Sequence, residues 1–138
     1  MVVDSDPTLA AAIGELLGAR GFEVASTASP EEALRLAEAG PLAVAVVDLE
    51  LPQPAGSDLA RGLRERHPDA ELLMLTRRLD PETAAEAVRR GAFDCLPRVP
   101  FDALRLLSVG RQAADKSGVA RQARLAEARL GEATARLG

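Results

Sequence analysis

The sequence predicts an α/β fold, a doubly wound five-stranded parallel sheet flanked by helices, with an extended C-terminal helix. Two observations predict it. Strand-like and helix-like segments alternate five times along the 138 residues, which is typical of repeated β-α units and a parallel sheet. The third strand-like segment, LAVAVVD, is apolar nearly throughout, as expected of a central strand that helices cover on both faces.

The first two β-α units carry clear boundary signals. The strand MVVD precedes a helix that starts at DPTLAAAIGELLGAR, where aspartate can cap the free amides and proline suits the first helical position. Gly21 is expected to end this helix in a left-handed conformation. The strand FEVAST leads to a helix that begins at Ser29, three residues before Glu32. That spacing predicts a capping box, with Gly40 as the stop.

The second half repeats the alternation. It predicts a helix within GSDLARGLRERH, a strand at AELLMLT, a helix in DPETAAEAVRRG, a short strand at FDCL and a last helix beginning near PFDALRLL. In doubly wound sheets, ligands bind beyond the carboxyl ends of the strands, where the strand order reverses. The chemistry of this chain is therefore expected at those ends.

Composition and charge exclude several classes of function. Apolar residues make up 47% of the chain and charged residues 28%, a mix typical of a folded protein. The sequence has no apolar run long enough for a membrane helix and no signal-peptide pattern at its start, so we expect a cytoplasmic protein. Residues 1 to 110 hold eighteen acidic against eleven basic side chains. An acidic body argues against binding of this domain to nucleic-acid phosphates, which requires clustered Lys and Arg.

Polar side chains follow four of the five predicted strands. They are Asp4, Ser5 and Asp6 after the first strand, Asp48 after the third, Thr76 after the fourth and Arg98 after the fifth. Carboxylates that lie close together repel and need a cation, and oxygen ligands of this kind suit Mg²⁺. The sequence thus predicts a magnesium site in which Asp48 is placed for phosphoryl transfer.

These segments resemble the receiver domain of bacterial response regulators over residues 1 to about 112. VVDSDP resembles the acidic pair of that family, VVDLELPQPAG its phosphoacceptor strand, MLT its switch threonine and GAFDCLPR the segment that ends in its lysine. The resemblance implies a flavodoxin-like fold of five strands and five helices. It also implies Mg²⁺-dependent phosphorylation by a sensor histidine kinase or phosphotransfer protein, and signalling through the face of the fourth helix, fifth strand and fifth helix.

The resemblance also implies roles for individual residues. Asp48 is the expected phosphoacceptor, and Thr76 is the hydroxyl expected to contact the phosphoryl group. Asp4, Asp48 and the backbone carbonyl of Glu50 are the expected metal ligands. Ser5 stands where the family has a second acid, which weakens the metal site unless Asp6 turns inward or water fills the gap.

Other family positions are also changed. Arg98 stands in place of the lysine, so it keeps the charge but not the compact geometry of an ammonium. Cys95 occupies the position of the switch aromatic residue, where a thiol is too small to act as a ring does. It is the only cysteine, so it cannot form an internal disulfide and is expected to be a small buried hydrophobic residue. Arg77 or Arg78 could pair with Glu50 and form a lid over the pocket, or both could be solvated surface residues.

The predicted domain limits are residues 1–115 for the receiver and 116–138 for a C-terminal helical extension. Within the extension, apolar residues fall at alternating spacings of four and three, at Val119, Ala123, Ala126, Leu130, Ala133 and Leu137. This is a short heptad seam, which predicts a homodimer or a helix leading to a downstream output domain. The letters KSG at 116–118 could interrupt the helix, and a frayed end is the alternative.

Two hypotheses of function remain from the sequence. The first is a receiver of a two-component phosphorelay that accepts a phosphoryl group on Asp48 and is not an enzyme. The second is a degenerate receiver that acts by docking and dimerisation without phosphorylation. The substitutions at Ser5, Arg98 and Cys95 separate the two, while the surviving acids and hydroxyl favour the first. A flavodoxin-like enzyme is disfavoured because no glycine-rich phosphate loop follows the first strand.

Overall fold

The computed structural model describes residues 1–137 and confirms the predicted fold class. All five strands belong to one sheet of order β2-β1-β3-β4-β5 in which every pair is parallel. The strands are β1 (Val2–Val3), β2 (Ser26–Thr27), β3 (Val44–Asp48), β4 (Glu71–Thr76) and β5 (Asp94–Pro97). The helices are α1 (Pro7–Gly18), α2 (Pro30–Ala37), α3 (Ala55–Arg66), α4 (Pro81–Arg89) and α5 (Ala103–Leu137).

The core forms two layers, one on each face of the sheet. Alternate strand residues face opposite sides, so Val46, Leu73 and Leu75 pack with α1 and the start of α5, whereas Val47 and Met74 pack with α2, α3 and α4. Since helices cover both faces, β3 and β4 are buried almost throughout. This explains why the predicted central strand is apolar without alternation.

The strand register brings the carboxyl ends of the strands together. Asp48 at the end of β3 pairs with Leu75 of β4, and Thr76 pairs with Pro97 of β5. The first strand pairs with β3 through Val3 and Val47, so the residues after β1 follow beside the end of β3. The polar residues that the sequence places after separate strands therefore share one edge of the sheet.

Two boundaries differ from the sequence-based prediction. The strand expected at FEVAST is reduced to Ser26–Thr27, because its only partner is the two-residue β1 and an edge strand has no other ladder to join. The second helix ends at Ala37 rather than at Gly40, and Glu38 keeps a right-handed conformation at its C-cap. The left-handed conformation predicted at Gly21 is confirmed, with a φ of 92°, although α1 itself ends at Gly18. The stop at Gly40 was wrong.

The capping box of α2 is only half formed. The hydroxyl of Ser29 accepts a hydrogen bond from the backbone N–H of Glu32 at 3.2 Å, as a cap should. The carboxylate of Glu32 does not return to the backbone of Ser29, because it accepts from the hydroxyl of Thr27 at 3.1 Å. The helix start is thereby tied to the end of β2.

The last helix continues without a break through KSG, so the interruption considered at 116–118 does not occur. Ser117 is buried against the body of the domain, and ion pairs from Lys116 to Glu71 and from Arg124 to Asp69 hold this part of α5 in place. Every residue from 121 to 137 is exposed. Gly138, the end of the predicted extension, lies outside the described residues. Across residues 1–137, no helix combines the length and apolar character needed to cross a bilayer.

We expect Gly91→Ala to destabilise the domain by about 1–2 kcal/mol, because Gly91 has a φ of 95° that an L side chain adopts only at that order of cost. Gly118→Ala is the matched control, since it lies in α5 with open space where its Cβ would stand. It should stabilise the helix by about 0.5–1 kcal/mol. Urea unfolding of both variants measures the two changes, and a stabilising Gly91→Ala would contradict this account of the turn.

Candidate functional site

Four of the predicted site residues converge in a buried cluster at the carboxyl edge of the sheet. Asp4, Asp48, Thr76 and Arg98 follow or end four different strands, and their exposed fractions are 0%, 3%, 1% and 5%. Charged side chains are rarely this buried unless they are paired. The contacts among these residues therefore decide what the site can do.

The centre of the cluster is an ion pair between Asp4 and Arg98. The Nε of Arg98 donates to Oδ2 of Asp4 at 3.0 Å, and its Nη2 donates to Oδ1 at 2.7 Å. This two-pronged geometry matches the planar fork of a guanidinium to both oxygens of one carboxylate. The backbone N–H of Asp6 also donates to Oδ1 of Asp4, at 2.8 Å. Both oxygens of Asp4 thus accept hydrogen bonds from the chain itself, two at Oδ1 and one at Oδ2.

The position of Arg98 depends on the strand next to it. Its backbone N–H donates to the carbonyl of Thr76 at 2.7 Å, which extends the pairing of β4 and β5 by one step. The hydrogen bonds to Asp4, and the charges of Asp4, Asp48 and Asp6, raise the pKa of Arg98 above its already high value, despite burial, which lowers it. The guanidinium is therefore a fixed positive charge.

Both oxygens of Asp48 are held in a similar way. The hydroxyl of Ser5 donates to Oδ2 at 2.9 Å, and the backbone N–H of Glu50 donates to Oδ1 at 2.9 Å. Asp48 lies at the end of the central strand β3, so its carboxylate stands between the residues that follow β1 and β4. Ser5 therefore replaces an acid of the family and also donates a hydrogen bond to the predicted phosphoacceptor.

Glu50 contributes its side chain as well as its backbone. The hydroxyl of Thr76 donates to Oε1 of Glu50 at 2.8 Å, and the backbone N–H of Arg77 donates to the same oxygen at 2.6 Å. The hydroxyl of Thr76 in turn accepts from the backbone N–H of Arg78 at 3.1 Å. Glu50 therefore holds the predicted switch hydroxyl and the loop after β4 in one arrangement.

The predicted arginine lid stays a prediction. Glu50 contacts the backbone of Arg77 rather than a guanidinium, and both Arg77 and Arg78 are exposed. The ion pairs found within residues 1–137 include neither side chain.

Asp6 and Cys95 lie at the margin of the cluster. The carboxylate of Asp6 accepts from the backbone N–H groups of Thr8 and Leu9 at 2.9 and 3.4 Å, so it caps α1 and does not turn inward. Cys95 is 2% exposed and packs in the core layer below α4. Burial, followed by the charges of Asp94 and Glu50, raises the pKa of its thiol. Cys95 is therefore the small buried residue that the sequence predicts.

The donor set does not fit a divalent metal in this arrangement. Mg²⁺ requires near-octahedral oxygen ligands and commonly uses one or two carboxylates with free oxygens. Asp4 has both oxygens on Arg98, Asp48 has both on Ser5 and Glu50, and Asp6 caps a helix. Within residues 1–137, no group of three or more His, Cys, Asp or Glu side chains could hold an ion.

Sequence reasoning identified the members of the cluster but missed three contacts. It treated Arg98 as a loose replacement for an ammonium, Ser5 as a loss and Glu50 as a backbone ligand. Three general properties could have indicated these contacts: the forked guanidinium of arginine, the hydroxyl donor of serine and the long side chain of glutamate. Their partners, however, lie 26 to 94 residues away in the chain.

Comparisons with known proteins all identify the same family for this chain. Residues 1–109 match the family model described as response regulator receiver domain. The chain is 38% identical over 103 residues to the photosynthetic apparatus regulatory protein RegA of Cereibacter sphaeroides, covering 75% of this chain and 55% of RegA. It is 31% identical over 106 residues to the response regulator PilR of Pseudomonas aeruginosa, covering 77% of this chain and 24% of PilR. The chain thus spans about half of the one relative and a quarter of the other.

Solved structures agree with these relatives. NtrX from Brucella abortus, solved in complex with ADP, superposes with a TM-score of 0.80 at 27% identity, over 94% of this chain and 29% of that one. A response regulator from Burkholderia pseudomallei, solved with a phosphorylated aspartic acid, calcium and citrate, gives a TM-score of 0.69 at 30% identity, over 87% of this chain and 70% of that one. Both are solved structures that share the fold of this chain.

We expect Arg98→Met to destabilise the domain by about 3–5 kcal/mol, because it leaves the buried carboxylate of Asp4 without its partner. The double variant Asp4→Asn with Arg98→Met should recover part of this loss, since the unpaired charge is then removed. Urea unfolding of the wild type, the two single variants Arg98→Met and Asp4→Asn, and the double variant gives the coupling.

The control for that cycle is Arg61→Met. Arg61 pairs with Asp58 on the surface of α3, where both side chains are more than half exposed. Its loss should cost at most about 1 kcal/mol. Equal costs for Arg98→Met and Arg61→Met would contradict the central role of the Asp4–Arg98 pair.

Proposed function

This chain belongs to the response regulator receiver domain family, and from that premise we propose that its Asp48 accepts a phosphoryl group. The donor is a sensor histidine kinase or a phosphotransfer protein of a two-component system. The observation that carries the proposal is the position of Asp48, a carboxylate at the end of the central strand that is oriented by Ser5 and Glu50. Phosphorylation of an aspartate is general in this family, which favours this hypothesis over the docking module.

The chemistry proposed for the site is an in-line displacement. A carboxylate oxygen of Asp48 attacks phosphorus, and the bond from phosphorus to the donor breaks with its electron pair leaving on the donor. Such transfers depend on positioning and on electrostatic stabilisation of the phosphoryl oxygens. The hydrogen bonds from Ser5 and Glu50 orient the nucleophile. Each oxygen of Asp48 has more than one lone pair, so the carboxylate can attack while hydrogen bonds orient it, and the Ser5 hydroxyl is the more easily rotated of the two donors.

The switch step is proposed at Thr76. Its hydroxyl donates to Glu50 in the present arrangement, and a phosphoryl group on Asp48 offers strong acceptor oxygens in competition. Movement of the Thr76 hydroxyl also disturbs its hydrogen bond from the backbone N–H of Arg78, and it leaves the backbone N–H of Arg77 as the remaining donor to Oε1 of Glu50. The loop between β4 and α4 is thereby connected to phosphorylation, and we place the signalling surface on α4, β5 and α5.

We infer that the domain is a signalling module rather than an enzyme and that it acts in the cytoplasm as part of a longer regulator. The relatives RegA and PilR are about twice and four times as long as the stretch they share with this chain. An output domain after α5 is therefore proposed. Any contact with nucleic acid is assigned to that output domain, because the receiver itself is acidic.

A homodimer through the end of α5 is the proposed assembly. This helix has 35 residues and a length of about 52 Å, and its last seventeen residues are exposed. A solitary helical segment of that length is marginal in water because it lacks packing. A second copy, packed along the seam that contains Val119 and Leu130, would bury side chains that are 70% and 69% exposed.

The first test of the function is phosphorylation in vitro. We expect acetyl phosphate with excess Mg²⁺ to add one phosphate to the full chain, as measured by intact mass. Asp48→Asn is the control and should give no adduct, because an amide cannot act as the nucleophile. A wild type without adduct, or an adduct that persists in Asp48→Asn, would remove Asp48 as acceptor and favour the docking module.

The test of the dimer is sedimentation of two matched variants. Leu130→Glu places a charge on the seam and should shift the equilibrium towards monomer. Leu125→Glu introduces the same charge off the seam and should leave the association unchanged. Analytical ultracentrifugation over a concentration series measures both. A wild type that stays monomeric, or equal effects of the two substitutions, would contradict the seam.

A further inference from the structure

We infer that Arg98 is the built-in counter-cation of this acidic site and that its pairing with Asp4 keeps divalent metal out of it. The family to which the chain belongs generally uses Mg²⁺ at this place, so the inference separates this chain from its relatives. The part on metal binding stands on geometry alone. The part on metal-independent phosphorylation rests on the proposed function.

The first argument is the occupancy of Asp4. A metal ligand needs a lone pair that faces the ion, and the two guanidinium donors take one oxygen each at 3.0 and 2.7 Å. The backbone N–H of Asp6 adds a third donor at 2.8 Å. These three donors use most of the roughly four lone-pair sites of the Asp4 carboxylate, so a metal bound to Asp4 would compete directly with the guanidinium of Arg98.

The second argument is that Arg98 has no ready alternative position. Its side chain is 5% exposed and that of Asp4 is 0% exposed. Rotation away from Asp4 would leave a buried charge without its hydrogen bonds, which is costly in a low-dielectric surrounding. No buried side-chain nitrogen or oxygen within residues 1–137 lacks a hydrogen-bond partner, so the present arrangement is complete without an ion.

The third argument is charge. Ser5 is neutral where the family has an acid, and Arg98 neutralises Asp4. Among the side chains of residues 1–137, Asp48 is therefore the one buried carboxylate without an ionic partner. The site therefore carries much less of the excess negative charge that normally attracts a divalent cation to clustered acids. A second cation beside Asp4 would also be repelled by the guanidinium.

The same geometry predicts which change would restore metal binding. A lysine at position 98 presents a compact ammonium, which contacts a carboxylate at one point and cannot occupy both oxygens as a fork does. An acid at position 5 adds a ligand and removes the hydroxyl that donates to Asp48. The double substitution Ser5→Asp with Arg98→Lys thus adds a carboxylate and leaves carboxylate oxygens available to bind a metal ion.

The direct test uses Mn²⁺ as a paramagnetic probe of the full chain by NMR. In the wild type, the backbone amides of Ser5, Asp6 and Glu50 should keep their intensity when Mn²⁺ is added. In the double variant Ser5→Asp with Arg98→Lys, the backbone amides at positions 5, 6 and 50 should broaden in a saturable way, and added Mg²⁺ should reverse the broadening by competition. Affinity in the variant should exceed that of the wild type by at least about 10- to 100-fold, the range seen when the surroundings of metal ligands are altered.

Two results would overturn the inference. The first is saturable broadening of those amides in the wild type at the Mn²⁺ concentration that broadens the variant. The second is a folded double variant, checked by circular dichroism, that binds no better than the wild type. If the double variant does not fold, the wild-type titration alone decides, because specific broadening there contradicts the exclusion and its absence supports it.

A second arm compares phosphorylation of the wild type by acetyl phosphate in Mg²⁺ and in EDTA. Equal initial rates of adduct formation are expected, whereas strong dependence on Mg²⁺ would overturn metal independence. If no adduct forms under either condition, the proposed function fails while the Mn²⁺ titration still decides the question of metal exclusion.

Discussion

The ion pair between Asp4 and Arg98 is the contact on which the rest of the site depends. It joins the loop after β1 to the end of β5, although two strands stand between them in the sheet. Breaking it would leave a buried carboxylate without its cation, whereas keeping it links two segments that lie 94 residues apart in the chain. The pair thereby fixes the edge of the sheet at which Asp48 and Thr76 lie.

The remaining contacts extend from that pair in a continuous network. Ser5 follows Asp4 and holds one oxygen of Asp48, and the backbone of Glu50 holds the other. The carboxylate of Glu50 then holds Thr76, whose carbonyl accepts from the backbone of Arg98. Because these groups are linked in one network, a phosphoryl group on Asp48 is expected to change the hydrogen bonds that surround it.

The sequence predicted the members of the site because their positions follow from local rules. Helix caps and apolar runs mark the ends of the strands, and parallel topology brings those ends together. The orientation of the side chains did not follow from those rules. Whether Arg98 faces Asp4 or a phosphoryl group, and whether Glu50 uses its carboxylate, depends on contacts between distant segments that no local pattern encodes.

The boundaries show the same division between local and distant causes. The composition of FEVAST favours a strand along its whole length. However, β1 offers only two residues for pairing, so only two residues of β2 join the sheet. The letters KSG weaken a helix by propensity, but Lys116 and Arg124 are anchored to Glu71 and Asp69 on the domain body. In both places tertiary contacts override a local preference of about 1 kcal/mol or less.

The packing of α5 explains how a change at the site can reach the proposed dimer seam. Leu106 and Val109 of α5 share a core layer with Leu75 of β4 and Leu96 of β5. Those strands end in Thr76 and lead directly into Arg98, so the polar site and the base of α5 are attached to the same two strands. Interiors are close-packed and transmit small shifts rather than absorbing them. Because α5 is one unbroken helix of 35 residues, a small tilt at its buried base produces a larger displacement at its exposed end. That displacement would change the packing of a second copy against the seam.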